Sequence, residues 1–182
     1  MEIDYYFNNA VLLFKPEKYV DDRGFFSETY NQKELQKLGV KAKFVQDNFS
    51  FSRSKNVFRG LHFQHPPHAQ AKLIRVLSGS ILDIVVDLRK ESASYLSHKM
   101  FKLSKRNFKQ LYIPRGFAHG FLTLSSNTEV FYKTSDFYYP DLEITLSCED
   151  ESLNIKLPIK TADLIISEKD RNPVPIDQLI GT

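Results

Sequence analysis

The apolar residues of this chain come in short runs that alternate with polar residues and stop at glycine, proline, asparagine or serine. That pattern constrains the fold more than any other feature, because a period of two is the signature of a strand with one face buried. In Phe58-Arg59-Gly60-Leu61-His62-Phe63-Gln64, the residues Phe58, Gly60, His62 and Gln64 fall on one side, with Arg59, Leu61 and Phe63 on the other. Val11-Leu12-Leu13-Phe14 reads as a first strand stopped by Lys15-Pro16, and Phe25-Phe26-Ser27-Glu28-Thr29-Tyr30 as another after the turn Asp21-Asp22-Arg23-Gly24. Residues 44–51 alternate loosely and put Gln46, Asn48 and Ser50 on one face. Strands over 72–77 and 80–88 are expected to form a hairpin around Ser78-Gly79, and Phe121-Leu122-Thr123-Leu124 a second one with 128–134 around Ser125-Ser126-Asn127. Phe101-Lys102-Leu103 and Lys109-Gln110-Leu111-Tyr112-Ile113 add two more runs, the latter closed by Pro114.

One short helix interrupts the strands. Asn31 has the form of an N-cap with Glu34 three residues on, Leu35 and Leu38 share a face, and Gly39 supplies the stop. Many short strands with one minor helix predict an all-β chain, a sandwich or barrel with short peripheral helices. A jelly roll fits, since its two sheets enclose a cavity into which inward side chains point. The length, 182 residues, suits a single domain over 1–182 with a real hydrophobic core.

Composition excludes several classes. No apolar run is long enough to cross a bilayer as a helix, and Met1-Glu2-Ile3-Asp4 carries acids where a secretory signal would carry lysines. The lone cysteine, Cys148, cannot form an internal disulfide and fits a reducing compartment, so a cytoplasmic protein is expected. A formal net charge of +3 is mild, and Ser52-Arg53-Ser54-Lys55 is a short basic segment. A nucleic-acid binder would concentrate its basic residues on one face; anionic small molecules are the better match.

Three stretches carry candidate chemistry. His62 lies on the clearest strand, and imidazole titrates near neutral pH. Ile113-Pro114-Arg115-Gly116-Phe117-Ala118-His119-Gly120-Phe121 offers a second histidine, and Glu129-Val130-Phe131-Tyr132-Lys133 a phenol among β-formers. Each has a plainer reading: His62 as a structural histidine, Tyr132 as core, Lys72 as an outward strand residue, Arg23 as an exposed turn residue. Ser167 and Asp170 could form only a capping box. His62, His65 and His68 could be read as a metal cluster, but Gln64 stands where a second inward histidine would be needed. His65, His68 and His98 otherwise read as solvated.

Arg59-Gly60-Leu61-His62-Phe63-Gln64, followed by Pro114-Arg115-Gly116-Phe117-Ala118-His119-Gly120, resembles the dTDP-4-dehydrorhamnose 3,5-epimerase family, nucleotide-sugar epimerases with a cupin-type jelly-roll fold. Asp22-Arg23-Gly24-Phe25-Phe26, Gln46-Asp47-Asn48, Ala69-Gln70-Ala71-Lys72-Leu73, the stretch from Tyr132 to Pro140, and Ser167-Glu168-Lys169-Asp170-Arg171 extend the likeness in matching order from Val11 to Pro175. The resemblance implies His62 as proton acceptor, Asp170 as the carboxylate orienting it, and Tyr132 as proton donor. It places Arg23, Phe25, Glu28, Gln46, Asn48, Arg59, Lys72, His119, Glu143 and Lys169 at substrate-contacting positions, with Tyr138 stacking on the nucleotide base. It also implies no metal, no redox cofactor, and a homodimer whose N-terminal strands help build the partner's site. The chain departs from the family pattern at Phe49-Ser50-Phe51-Ser52, at Ala71 and Arg115, and in having no tryptophan before Pro158.

These residue types suit that chemistry. A 4-keto sugar is acidic at C3 and C5, and inversion removes a proton from one face and returns one to the other. A histidine base, a phenol that stays protonated at neutral pH, and Lys72 to steady the enolate meet the need. Arg23 and Arg59 could fork onto a diphosphate. Competing readings are a C3-only epimerase on a related nucleotide sugar, a ketoisomerase moving the carbonyl from C4 to C3, a metal-dependent cupin, and a non-catalytic sugar-nucleotide-binding cupin.

Overall fold

The structure is a computed structural model that describes residues 2–180; Met1, Gly181 and Thr182, the ends of the expected 1–182 unit, lie outside the described residues. The strands are β1 (Glu2–Tyr6), β2 (Val11–Lys15), β3 (Tyr19–Asp21), β4 (Gly24–Phe26), β5 (Gln46–Ser52), β6 (Phe58–Gln64), β7 (Lys72–Ser78), β8 (Ser80–Asp87), β9 (His98–Ser104), β10 (Gln110–Ile113), β11 (Phe117–Thr123), β12 (Thr128–Thr134) and β13 (Glu143–Thr145). Helix α1 (Gln32–Lys37) follows β4, and α2 (Ile176–Ile180) ends the described chain. A six-stranded sheet runs β1-β2-β10-β7-β12-β5, a five-stranded sheet β13-β6-β11-β8-β9, and β3 and β4 form a separate small hairpin.

The two large sheets pack face to face. Between them lie Val11, Leu13, Ile74, Val76 and Val130 of one sheet, against Ile81, Val85, Phe101, Leu103 and Phe117 of the other. Both outer faces are also covered in part. The segment from Leu146 to Ile176 packs on Phe58, Leu61, Ile84, Val86 and Leu122, while Leu35 and Val40 pack on Leu12, Phe14, Leu73 and Tyr112. Double coverage explains why 11–14 and 84–86 read as unbroken apolar runs rather than alternating ones. The helix forms as expected: Asn31 accepts from the Lys33 and Glu34 amides, Leu35 is buried, and Gly39 takes φ +88.

Five expectations need correction. Phe58 and Leu61, expected on opposite sides of β6, both pack on the outer face, because the β6–β11 ladder shifts register between His119 and Phe121. Neither expected hairpin forms: β7 and β8 lie in different sheets, as do β11 and β12. The turns around Gly79 and Ser125 instead carry the chain from sheet to sheet, and they are tied together by Ser80 N–H donating to Ser125 Oγ at 2.9 Å. Alternation reports which face of a strand is buried, not which strand it pairs with. The first strand is β1, which pairs with β2 through a turn in which Phe7, Asn8 and Asn9 all have positive φ. The strand expected over 25–30 stops at Phe26, because β4 pairs only with the three residues of β3.

Candidate active site

Beyond the apolar core, the inward faces of the two sheets carry polar residues instead. β6 presents His62, β11 presents His119, β7 presents Lys72 and β12 presents Tyr132, and all four line one cavity of about 420 Å³. Lys72 continues the face of Ile74 and Val76, and Tyr132 the face of Val130, so strand parity alone brings them inward. His62 and Tyr132 enter from opposite sheets.

His62 and His119 are register partners on β6 and β11, where the ladder shifts between His119 and Phe121. Two glycines allow this approach. A Cβ on Gly60 would lie 2.6 Å from Gly120 Cα, and Gly60 has φ +124; a Cβ on Gly120 would lie 2.7 Å from the Arg59 carbonyl oxygen. These glycines stand beside the two histidines in the sequence for a steric reason.

Asp170 arrives from the chain's tail on a 3-10 turn, Lys169–Arg171. Its backbone N–H donates to Ser167 Oγ at 3.2 Å, so the capping contact exists. The carboxylate is free for other work: Oδ1 lies 2.7 Å from His62 Nε2, and Oδ2 accepts from Gly60 N–H at 3.4 Å. Burial acts to raise the Asp170 carboxyl, but the His62 contact and the other hydrogen bonds together hold it below the usual carboxylate range. With Nε2–H committed to Asp170, the Nδ1 lone pair of His62 is left to act as a base. His119 has a carboxylate of its own, Asp83, at 2.9 Å from Nε2.

Across the cavity, burial raises the Tyr132 phenol and the nearby Arg59 only partly offsets this, so Tyr132 holds its proton at neutral pH. Burial lowers Lys72 to about 8, with Asp83 acting in the opposite direction. Among the described residues, the Lys72 ammonium has no hydrogen-bond or ion-pair partner. Among the described residues, Arg59 donates to Ser52 Oγ and the Phe51 carbonyl and meets no carboxylate, so its charge is unpaired too. Two such cations make the cavity a match for negative charge.

At the mouth, Tyr138 Oη donates to Glu143 at 2.7 Å, and Lys169 pairs with Glu143 while donating to Tyr138 Oη at 3.0 Å. Gln46 donates to Asn48 at 2.9 Å and accepts from the Tyr138 N–H at 3.2 Å. The cavity thus gathers His62, Tyr132, Asp170, Lys72, Gln46, Asn48, Arg59, His119, Tyr138, Glu143 and Lys169.

Three expected residues lie elsewhere. Arg23 is 90% exposed and paired with Asp21 at 2.6 Å. Phe25 packs edge-on against Phe108, with Lys18 over its ring. Glu28 accepts from Asn31 at 2.9 Å and lines a separate groove with Arg75 and Lys133.

Sequence reasoning passed over four residues of consequence. Asp83 hides in the apolar run Ser80-Ile81-Leu82-Asp83-Ile84-Val85, where an isolated acid was itself the signal. Gln64 and Gln70 donate to the carbonyls of Asp136 and Phe137, and Gln64 accepts from the Tyr139 N–H, so they shape the bend that carries Tyr138. His68 is more than solvated, since its ring stacks on Tyr139 at 3.9 Å and its Nδ1 lies 3.5 Å from Asp136. Among the described residues, no three His, Cys, Asp or Glu side chains converge as metal ligands would.

The comparisons with known proteins agree with one another. A family model described as dTDP-4-dehydrorhamnose 3,5-epimerase matches residues 8–178. The dTDP-4-dehydrorhamnose 3,5-epimerase of Escherichia coli (strain K12) is 46% identical over 171 residues, covering 93% of this chain and 91% of that one. The crystal structure of the enzyme of that name from Bacillus anthracis str. Ames, with TDP and PPi bound, superposes with a TM-score of 0.91 at 42% identity, over 96% of this chain and 98% of that one. A dTDP-6-deoxy-D-glucose-3,5-epimerase from Legionella pneumophila Philadelphia 1, in complex with dTDP-4-keto-L-rhamnose, gives 0.90 at 37% identity, over 97% and 93%.

Proposed function

The chain belongs to the dTDP-4-dehydrorhamnose 3,5-epimerase family, and from that premise we propose that its cavity inverts C3 and C5 of dTDP-4-dehydro-6-deoxy-glucose, giving dTDP-4-dehydro-rhamnose for dTDP-rhamnose biosynthesis. The observation that carries this reading is the entry of His62 and Tyr132 into one cavity from opposite sheets, with Asp170 at 2.7 Å from the histidine.

His62 takes the proton from C3 or C5, and the electron pair left behind spreads to the C4 oxygen as an enolate. The Lys72 ammonium donates to that oxygen; a preorganised donor of this kind is typically worth about 3–4 kcal/mol in the barrier. Tyr132 returns a proton to the opposite face of the same carbon. Solvent then removes the proton from His62 and restores the Tyr132 phenol, and the cycle serves the second carbon. Asp170 stabilises the imidazolium formed in the first step. Arg59 binds the diphosphate, Tyr138 offers its ring to the base, and Gln46, Asn48, His119, Glu143 and Lys169 contact the rest of the nucleotide sugar.

In this reading the enzyme is a cytoplasmic homodimer in which 1–182 acts as one catalytic unit. Support for self-association comes from the β3–β4 hairpin, where Tyr19, Val20, Phe25 and Phe26 are exposed by 58%, 77%, 54% and 69%. So many apolar side chains on one small hairpin mark a contact surface. Arg23, Phe25 and Glu28 would then complete the partner's cavity rather than their own.

Product analysis by NMR tests the activity. Incubation with dTDP-4-dehydro-6-deoxy-glucose should give a sugar inverted at both carbons. Retention at C5 would restrict the enzyme to C3, and an unchanged sugar would contradict the proposal.

A further inference from the structure

Asp83 takes no part in the chemistry described so far, yet it is 0% exposed. It sits in the inward row of β8 between Ile81 and Val85, both core residues, and its cross-strand neighbours are Phe121 and Phe101. A carboxylate in an apolar row is disfavoured unless its charge is compensated. Asp87, at the end of the same strand, shows how a structural carboxylate is satisfied: Arg89, Ser92 and Ser94 all donate to it. Asp83 is different. Its Oδ2 contacts His119 Nε2, while Oδ1 is buried with no partner among the described residues. Burial pushes the Asp83 carboxyl up, and against it act the His119 contact and, through space, the unpaired Lys72 ammonium on the facing sheet.

We propose that Asp83 is a positioning residue of the epimerase site, fixing the ring of His119 and keeping the Lys72 ammonium charged where the C4 oxygen becomes negative. This rests on the epimerase reading of the cavity. The titratable groups that act on it are His119 from β11 and Lys72 from β7, while His62 from β6, with its Asp170, and Tyr132 from β12 line the cavity that His119 and Lys72 share, and β9 supplies Phe101. Burial draws Lys72 down to about 8, and the Asp83 charge resists it. Without that charge, Lys72 loses its proton at lower pH and the enolate loses its donor.

The test is the pH dependence of kcat and KM for the unsubstituted enzyme, Asp83→Asn and Asp83→Glu. Asparagine keeps the shape and an acceptor for His119 but removes the charge. Its alkaline limb should move down by about one pH unit or more, a loss of kcat of about fivefold or more at pH 8, with KM little changed. Glutamate should restore the limb toward its original position. An unmoved limb in folded Asp83→Asn overturns the proposal. Should that variant not fold, Lys72 is titrated by NMR in the unsubstituted protein, with Lys72→Met to assign the signal. Titration near 8 supports the proposal; a value below about 7, or one at the ordinary 10.5, overturns it. An enzyme inert toward the keto sugar would instead sink the epimerase reading, and the Lys72 titration would still report on Asp83.

Discussion

His62 and His119 stand opposite each other on β6 and β11, and each gives its Nε2 to a different carboxylate, Asp170 at 2.7 Å and Asp83 at 2.9 Å. The two pairs are not equivalent. The His62 side chain is 26% exposed and that of His119 9%, and burial lowers the pKa of His119. A shared layout thus gives one histidine that can exchange protons with the cavity and one that stays neutral and fixed. Environments that separate like groups in this way assign them different roles.

Asp170→Asn should remove the partner that sets the tautomer of His62 and lower turnover by about 10²-fold or more. It should also cost stability, about 1–3 kcal/mol at neutral pH, as the loss of a buried charge-assisted hydrogen bond does. The sign of the pH effect follows from the Asp170 carboxyl, which is lowered in the folded protein from its ordinary 3.8. Its stabilisation is full above that value and is lost as pH falls through the folded pKa. Melting curves of the two proteins should therefore differ at neutral pH and converge below about pH 4. A gap that persists in acid would show that the carboxylate charge is not its source.

Tyr132→Phe should separate proton removal from inversion. The ring that packs against the core is kept and only the proton donor is lost. Solvent deuterium should still enter the substrate through His62, while formation of the inverted sugar falls by about 10²–10⁴-fold. Exchange and inversion falling together would place the first proton transfer on Tyr132 instead.

Gly60→Ala should damage the framework rather than the chemistry. Its Cβ would meet backbone at 2.6 Å, where no side chain can swing aside, and its φ of +124 disfavours any Cβ. A loss of about 2–5 kcal/mol is expected, read as a lower melting midpoint in denaturant. An unchanged midpoint would show that β6 and β11 can separate at no cost.

Much of this was legible in the sequence, and what was not has a common cause. Gly60, Gly120 and His119 announce themselves because the constraint on each is local, a strand parity or a backbone that cannot carry a Cβ, whereas the parity expected over 58–64 fails: Arg59 and His62 both line the cavity while Phe58 and Leu61 both pack on the outer face. The N-cap of α1 was equally local, with Asn31 and Glu34 three residues apart. Pairing between strands is not. Gly79 and Ser125 look like hairpin turns because the turn chemistry for staying within a sheet and for crossing to the other is alike. Asp83 was missed because an acid inside an apolar run gains meaning only when His119 and Lys72, distant in sequence, are placed around it. Arg23, Phe25 and Glu28 match the family pattern but lie away from the cavity of their own chain, a placement that periodicity could not have indicated.

Mixed dimers test where those three residues act. Arg23→Ala and His62→Asn proteins, each inactive alone, should recover activity when unfolded together and refolded. Every mixed dimer would carry one intact site, and about a quarter of full activity should return, since half of the dimers are mixed in a two-fold assembly. No recovery, with mixed dimers present, would place Arg23 in its own chain's site or outside the chemistry.

The most direct test of the central claim is solvent exchange. Folded enzyme and its His62→Asn variant are each incubated with dTDP-4-dehydro-6-deoxy-glucose in D₂O, and C3 and C5 are read by NMR. The account predicts deuterium at both carbons with the unsubstituted enzyme, and exchange slower by about 10²–10⁴-fold with the variant. Carbon-bound protons that stay in place with the unsubstituted enzyme, or exchange that survives the loss of His62, would contradict it.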